Sequence, residues 1–347
     1  MNQISRPTRR SLRTGTELAD AGLVAPEAIA AIDAVAAHYA VSVTPALAGL
    51  IDPSDADDPV ARQFVPDAAE LEAAPGERPD PIGDQAHSPV KGIVHRYPDR
   101  ALLTPLLTCP VYCRYCFRRE RVGQEKALAE AELVVALDYI RAHEELWEII
   151  LTGGDPLMLP PARMAAIIAA LDAIPHVRTI RIHSRVPVAD PARIDAAMLK
   201  ALDAAKPVWV AVHCNHAREL AAEARAACAR LAKAGIPLVG QTVLLKGVND
   251  DPATMEALLR AMVESRIKPY YLHHLDAAPG TGHFRTSIAA GQALMRGLRG
   301  RVSGLCQPGY VLDIPGGHGK SPIGPGYLEG GTIEDWQGHT HPLGPER

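Results

Sequence analysis

From residue 101 onward the chain alternates between short apolar runs and longer segments rich in Ala, Leu and Glu. The apolar runs fall at 101–107, 147–152, 177–182, 208–213, 238–245 and 270–272. They are too short for helices and carry little polar alternation, as strands buried on both faces do. Between them the spacing predicts helices at 128–143, 161–171, 191–201, 217–234, 252–265 and 287–297. Six successive strand–helix units predict a parallel sheet covered by helices. With right-handed crossovers the result is an α/β fold, a partial (β/α)6 barrel. One more extended piece, 310–314, follows.

The upstream part is different. A helical segment is predicted at 25–40, with Ile29, Ile32, Val35 and Ala36 at helical spacing, and a short apolar segment at 45–51. Residues 52–89 are rich in Pro and Asp and read as an irregular linker or wrap. No internal repeat is visible, and the only compositional bias is in alanine. The expected division is a helical extension with its Pro-rich linker at 1–94, the barrel at 95–305, and a C-terminal loop and tail at 306–347.

Composition narrows the function. At 347 residues and 47% apolar, the chain can bury a substantial core. A net charge of −4 gives no reason to expect nucleic acid or an anionic membrane as partner. No apolar run is long enough for a transmembrane helix, and the basic residues at 1–13 lead into no signal-like apolar segment. Of six cysteines, three are clustered and Cys214, Cys228 and Cys306 are scattered. That is not a disulfide framework, so a reducing cytoplasm is the expected compartment.

Ligands of such folds gather at the carboxyl ends of the strands, and the unusual polar residues lie there. After the first strand come Cys109, Cys113 and Cys116 on one short loop. Three thiolates can hold three corners of a [4Fe–4S] cluster and leave the fourth iron open for chemistry. A structural zinc would want a second cysteine pair, which is absent, so the pattern favours iron–sulfur. After the second strand, Gly153, Gly154 and Asp155 allow close approach of a ligand, or form an ordinary turn. His183, Ser184 and Arg185 end the third strand, and His213, Cys214, Asn215 and His216 the fourth. Such histidines more often hydrogen-bond than ligate metal. Gln241 interrupts an apolar strand and needs a partner if buried.

The sixth strand runs into His273, His274 and Asp276, and the last extended piece carries Asp313. It leads to Gly316, Gly317, Gly319, Lys320 and Ser321. A phosphate-binding P-loop is excluded, because Ile314 replaces the required glycine and Pro322 and Pro325 oppose a following helix. A lysine on a glycine-rich loop can instead be a Schiff-base amine, and only eight lysines are present. Arg96, Arg100, Arg114, Arg118, Arg119 and Arg121 surround the first strand and the cysteine loop. They suit phosphate or carboxylate ligands, or simply a solvated basic face.

Taken together, these residues resemble the lysine 2,3-aminomutase family of radical S-adenosylmethionine enzymes, over about two-thirds of the chain, from His95 to Pro322. The resemblance implies a [4Fe–4S] cluster on Cys109, Cys113 and Cys116. It implies S-adenosylmethionine near Gly153, Gly154, Asp155, His213 and Gln241. Pyridoxal 5′-phosphate would sit on Lys320, with Arg96, Tyr97 and Arg100 at its phosphate. Arg118 would take the substrate carboxylate, and Asp276 and Asp313 the distal ammonium of lysine. Two aspartates would repel an acidic substrate. The implied reaction is L-lysine to β-lysine by radical amino migration. Longer family members bind zinc through C-terminal cysteines; here none follows Cys306 and Asp251 replaces the partner cysteine, so no zinc is expected. His273 stands where those members have tyrosine. The short length and the His183–Arg185 signature resemble the branch that makes β-lysine for elongation factor P modification. Expected partners are lysine and an electron donor such as flavodoxin or ferredoxin; a homo-oligomer would be compatible. Open rivals are an aminomutase for another amino acid, a glycyl-radical activase without pyridoxal phosphate, and a non-catalytic iron–sulfur sensor or carrier.

Overall fold

The computed structural model describes residues 10–124 and 127–343, so most of the basic segment 1–13 lies outside the described residues. Nine strands form one sheet in simple sequence order: β1 Ile93–Tyr97, β2 Arg100–Leu106, β3 Glu148–Gly153, β4 Thr179–Ser184, β5 Val208–His213, β6 Leu238–Val243, β7 Ile267–His273, β8 Gly309–Ile314 and β9 Gly319–Pro322. From β2 to β8 every neighbouring pair is parallel. β1 and β9 close the two ends antiparallel. The sheet is a nearly closed barrel of the expected class.

Before the barrel come α1 Gly15–Asp20, α2 Ile29–Ala36, α3 Pro45–Ala48 and α4 Ala61–Phe64. The crossovers are α5 Glu130–Ala142, α6 Pro161–Asp172, α7 Val186–Ala189 with α8 Ala196–Ala201, α9 Ala222–Lys233, α10 Pro252–Glu264 and α11 Ile288–Leu298. A small antiparallel sheet, β10 Leu328–Glu329, β11 Thr332–Glu334 and β12 Thr340–Pro342, ends the described chain. No helix among the described residues is long and apolar enough to cross a membrane.

Burial explains the strand pattern. Ile149, Ile150 and Leu151 of β3 and Val210, Ala211 and Val212 of β5 are all buried, because helices cover one side and the barrel interior the other. The helices start where short polar side chains take up their first N–H groups: Asp195 caps α8, Asp251 caps α10 and Ser287 caps α11. Asp251 therefore has a local structural role at the start of α10.

Two strands escape the hydrophobic pattern. β1 mixes Ile93 and Val94 with His95, Arg96 and Tyr97. β9 is Gly-Lys-Ser-Pro, so Lys320 sits on an edge strand rather than on the loop expected from its glycines. These two strands meet at the barrel's seam, where the Lys320 backbone N–H donates to the Tyr97 hydroxyl at 2.6 Å. Gly319 permits this contact: its φ is +87°, and a Cβ there would lie 2.9 Å from Tyr97 Oη.

The segment 52–89 is a wrap with chemical content. Its Glu70 is fully buried against the cysteine loop, accepting from Arg114 Nε at 2.9 Å and Nη2 at 2.6 Å, and also from Arg119. Arg114 further donates to the Ala40 carbonyl at 2.9 Å, and Arg119 to that of Gly280 at 3.0 Å. One carboxylate thus neutralises two buried guanidiniums. Glu70→Ala leaves both uncompensated and is expected to destabilise the fold by roughly 3–5 kcal/mol. Denaturant unfolding of the purified variant measures this; a loss under about 1 kcal/mol would show the pair to be solvated.

Candidate active site

All fifteen residues singled out as ligands or contacts line one cavity of about 530 Å³. The volume suits a small molecule together with a cofactor. The barrel interior brings together groups more than 200 residues apart, the cysteines and Lys320 among them.

The cysteine loop leaves β2 and is pinned from below. Arg114 anchors it to Glu70, and the Cys116 N–H donates to the Cys113 carbonyl at 3.1 Å. Tyr115, between these cysteines, points into the core; its hydroxyl lies 3.2 Å from His213 Nε2 and accepts from Arg185. Arg185 pairs with buried Glu219 at 2.6 Å, and Glu219 also accepts the N–H groups of Asn215 and His216, each at 2.9 Å. All three thiols are unbridged and half-buried. Burial, then the charge of Asp155 and of neighbouring thiolates, pushes Cys109 well up; burial and Cys113 push Cys116 to about 11. Burial thus disfavours the thiolate form of Cys109 and Cys116. A single tetrahedral ion would draw its ligand atoms tightly together. Among the described residues, no trio containing these cysteines brings its donor atoms within 4.8 Å of one another. A cubane binds each thiolate on a separate iron, so the wider spacing fits a cluster better than zinc.

The next wall is Gly153, Gly154, Asp155, His213 and Gln241. The structure gives the glycines a reason that spacing alone could not. A Cβ on Gly154 would lie 2.5 Å from the backbone N of Thr108, so the chain itself makes the close approach, next to Cys109. Asp155 is consumed locally as well. One carboxylate oxygen accepts from Leu157 N at 3.1 Å and Ser184 Oγ at 2.8 Å, the other from Arg185 N at 2.7 Å and Val186 N at 3.0 Å. It couples the ends of β3 and β4 and so sets the shape of this wall. Gln241 finds the partner it needs in His183, Nε2 to Nε2 at 3.4 Å. Burial holds His183 and His213 well below the ordinary histidine range, so both are neutral near pH 7.

A further part of the lining is ionic. Lys320 Nζ pairs with the Asp313 carboxylate and lies 3.3 Å from His273 Nδ1. Burial would raise the Asp313 carboxyl, but His273 and Lys320 outweigh it and hold it well below the usual range. Asp276 behaves oppositely: burial first, then the charge of Asp313, pushes it up to about 8. Burial and the Lys320 charge keep His273 low and neutral. Arg96 and Arg118 share buried Asp84, at 2.8 Å and 2.7 Å. Arg96 Nε is buried without a hydrogen-bond partner, an unfilled donor in the cavity wall. Arg100 lies over the Tyr97 ring at 3.8 Å and pairs with exposed Asp99.

Pattern reasoning missed Asp84, Glu70, Tyr115 and Glu219. Asp84 and Glu70 lie in a Pro- and Asp-rich stretch with no period, and only tertiary contact distinguishes them from solvated acids.

A model of the radical SAM superfamily matches residues 103–259. L-lysine 2,3-aminomutase of Clostridium subterminale is 43% identical over 289 residues, covering 83% of this chain and 70% of that protein. L-lysine 2,3-aminomutase of Escherichia coli strain K12 is 38% identical over 286 residues, covering 82% and 83%. Glutamate 2,3-aminomutase of Clostridioides difficile is 37% identical over 313 residues, covering 88% and 74%.

Proposed function

This chain belongs to the lysine 2,3-aminomutase family of radical SAM enzymes, and from that premise we propose that it converts L-lysine to β-lysine. Membership makes it an enzyme acting on a small amino acid, with a [4Fe–4S] cluster and S-adenosylmethionine. Lysine as that amino acid, pyridoxal phosphate as third cofactor, and the residue roles are our reading.

The observation that carries the reading is the ionic group sharing the cysteines' cavity: Asp276 and Asp313 beside Lys320, with Arg118 on the same cavity. The donor sets fit the implied groups. Cys109, Cys113 and Cys116 would hold the cluster; Gly153, Gly154, His213 and Gln241 would flank S-adenosylmethionine, with Asp155 shaping the turn. Lys320 would bind the pyridoxal aldehyde, and Arg96, Tyr97 and Arg100 its phosphate. When bound, the cluster and S-adenosylmethionine supply a carbon radical that takes a substrate hydrogen, and pyridoxal phosphate lets nitrogen pass between adjacent carbons.

The chain's own residues bind and orient. Asp313 holds an ammonium already, that of Lys320, so the same carboxylate can take the distal ammonium of lysine once Lys320 is engaged elsewhere. Neutral His273, 3.3 Å from Lys320 Nζ, can receive the proton that Nζ must lose to become a nucleophile. Arg118 would exchange Asp84 for the substrate carboxylate. Gripping lysine at both ends fixes which hydrogen faces the cysteine wall.

A glutamate-type substrate is the second reading, favoured by the glutamate 2,3-aminomutase relative. It would place a carboxylate against ionised Asp313, which like charge opposes. A flavodoxin or ferredoxin as electron donor, a homo-oligomer and a link to elongation factor P modification accompany the proposal. The test is anaerobic reconstitution with iron, sulfide, pyridoxal phosphate and S-adenosylmethionine, then a reductant with lysine or glutamate. β-Lysine resolved from lysine by chromatography and mass spectrometry is expected. β-Glutamate alone would overturn the substrate, and no product from either would overturn the reaction.

A further inference from the structure

Outside the cavity, three metal-ligating side chains converge where the edge strand β1 meets the end of α5. His95 lies on β1, His143 caps α5 and Glu145 follows; one donor atom from each lies within 4.8 Å of the others. None of the three lines the cavity. We propose that this is a divalent transition-metal site, of the class filled by zinc.

Tyr139, one turn before His143, organises the donors. Its carbonyl is 2.7 Å from His143 Nδ1 and accepts the N–H there. Its hydroxyl is 2.8 Å from His95 Nδ1. Its ring stacks on His143 with centroids 3.8 Å apart. His143 Nδ1 must donate to the Tyr139 carbonyl and so leaves Nε2 as its lone-pair nitrogen; His95 does the same in the tautomer whose Nδ1–H donates to the Tyr139 hydroxyl. A backbone or side-chain oxygen fixing the far nitrogen is the arrangement that orients histidine ligands in metal sites. His95 and His143 are half-buried and Glu145 is exposed. Two imidazoles and one carboxylate suit zinc and its neighbours, with the solvent-facing fourth position left to water.

The placement has a consequence for the chain. β1 alternates its side chains, so His95 faces outward while Arg96 faces the cavity. An ion held between His95 and His143 would tie the strand bearing Arg96 and Tyr97 to the helix behind it. The expectation of no zinc rested on missing cysteines; this ligand set is different and local to one chain.

The test uses enzyme with its cluster reconstituted, so that the cysteines are occupied. Equilibrium dialysis against zinc is expected to give one more equivalent in wild type than in His143→Ala, and zinc should raise the thermal midpoint of wild type only. Cobalt in place of zinc should show visible bands without thiolate charge transfer. Glu145→Gln is exposed and should fold normally, with weakened zinc binding; Tyr139→Phe should weaken it about tenfold or more. Equal zinc content in wild type and Glu145→Gln at all concentrations, or cobalt bands of thiolate character, overturns the site.

Discussion

A Lys320→Ala variant is expected to lose β-lysine formation by at least about a thousandfold, the scale on which removal of a covalent nucleophile acts. Borohydride treatment of wild type with pyridoxal phosphate should fix the cofactor on the peptide containing Lys320; the variant should carry no such adduct. The structure adds a sharper expectation. Asp313 keeps its charge through Lys320 and His273, so alanine leaves a buried carboxylate with a neutral neighbour. Lys320→Arg should preserve the pairing and the stability but not the activity. Cluster absorbance should survive in both variants, because the contacts of Lys320 run to Tyr97, His273 and Asp313 and not to the cysteine loop. Activity of Lys320→Arg within tenfold of wild type would remove Lys320 from the chemistry and, with it, the pyridoxal part of the proposal.

How much of this was legible in the sequence depended on whether the cause is local. β3 and β5 declare themselves because burial of most positions forces apolar runs, while β4, β6 and β7 carry Arg181, Gln241 and Lys268 among their apolar residues. The cysteine spacing carries its own chemistry, since three thiolates within eight residues have few uses. Asp276 and Asp313 become a pair only when β7 and β8 align, and resemblance rather than spacing paired them. Asp84 and Glu70 could not be read at all: each is an ordinary acid until the wrap delivers it to arginines 12 to 49 positions away. Gly154 and Asp155 were legible as special but not for the right reason. Their geometry is explained by the close approach of Thr108 and by the N–H groups of the next turn. Lys320 was found by its glycines, although those glycines shape an edge strand at the barrel seam.

Asp276→Asn is expected to lower kcat/KM for lysine by about a hundredfold, the effect of losing ~3 kcal/mol of a desolvated charge pair. The pH dependence identifies the cause. Four charged groups face Asp276: Asp313 on β8 and Asp84 on the wrap raise its carboxyl, while Lys320 on β9 and Arg118 on the cysteine loop lower it. Burial and Asp313 prevail, so the carboxyl titrates at about 8 and is protonated at pH 7 in the absence of substrate. An ammonium seeks the ionised form. Lysine binding below that pH must therefore release a proton, and affinity should climb by up to about tenfold per pH unit before levelling above pH 8. In Asp276→Asn the climb should vanish. Stability of the substrate-free protein should run the other way. A carboxyl raised on folding favours the native state most at low pH, and this contribution is lost as pH rises through about 8. Wild type should thus lose stability relative to Asp276→Asn from the ordinary carboxyl range up to about pH 8 and level off above it, while gaining affinity for lysine up to the same pH. Opposite slopes in the two measurements, both abolished by one substitution, would assign the substrate ammonium to Asp276. Parallel slopes, or a lysine affinity indifferent to pH, would place the distal amine elsewhere.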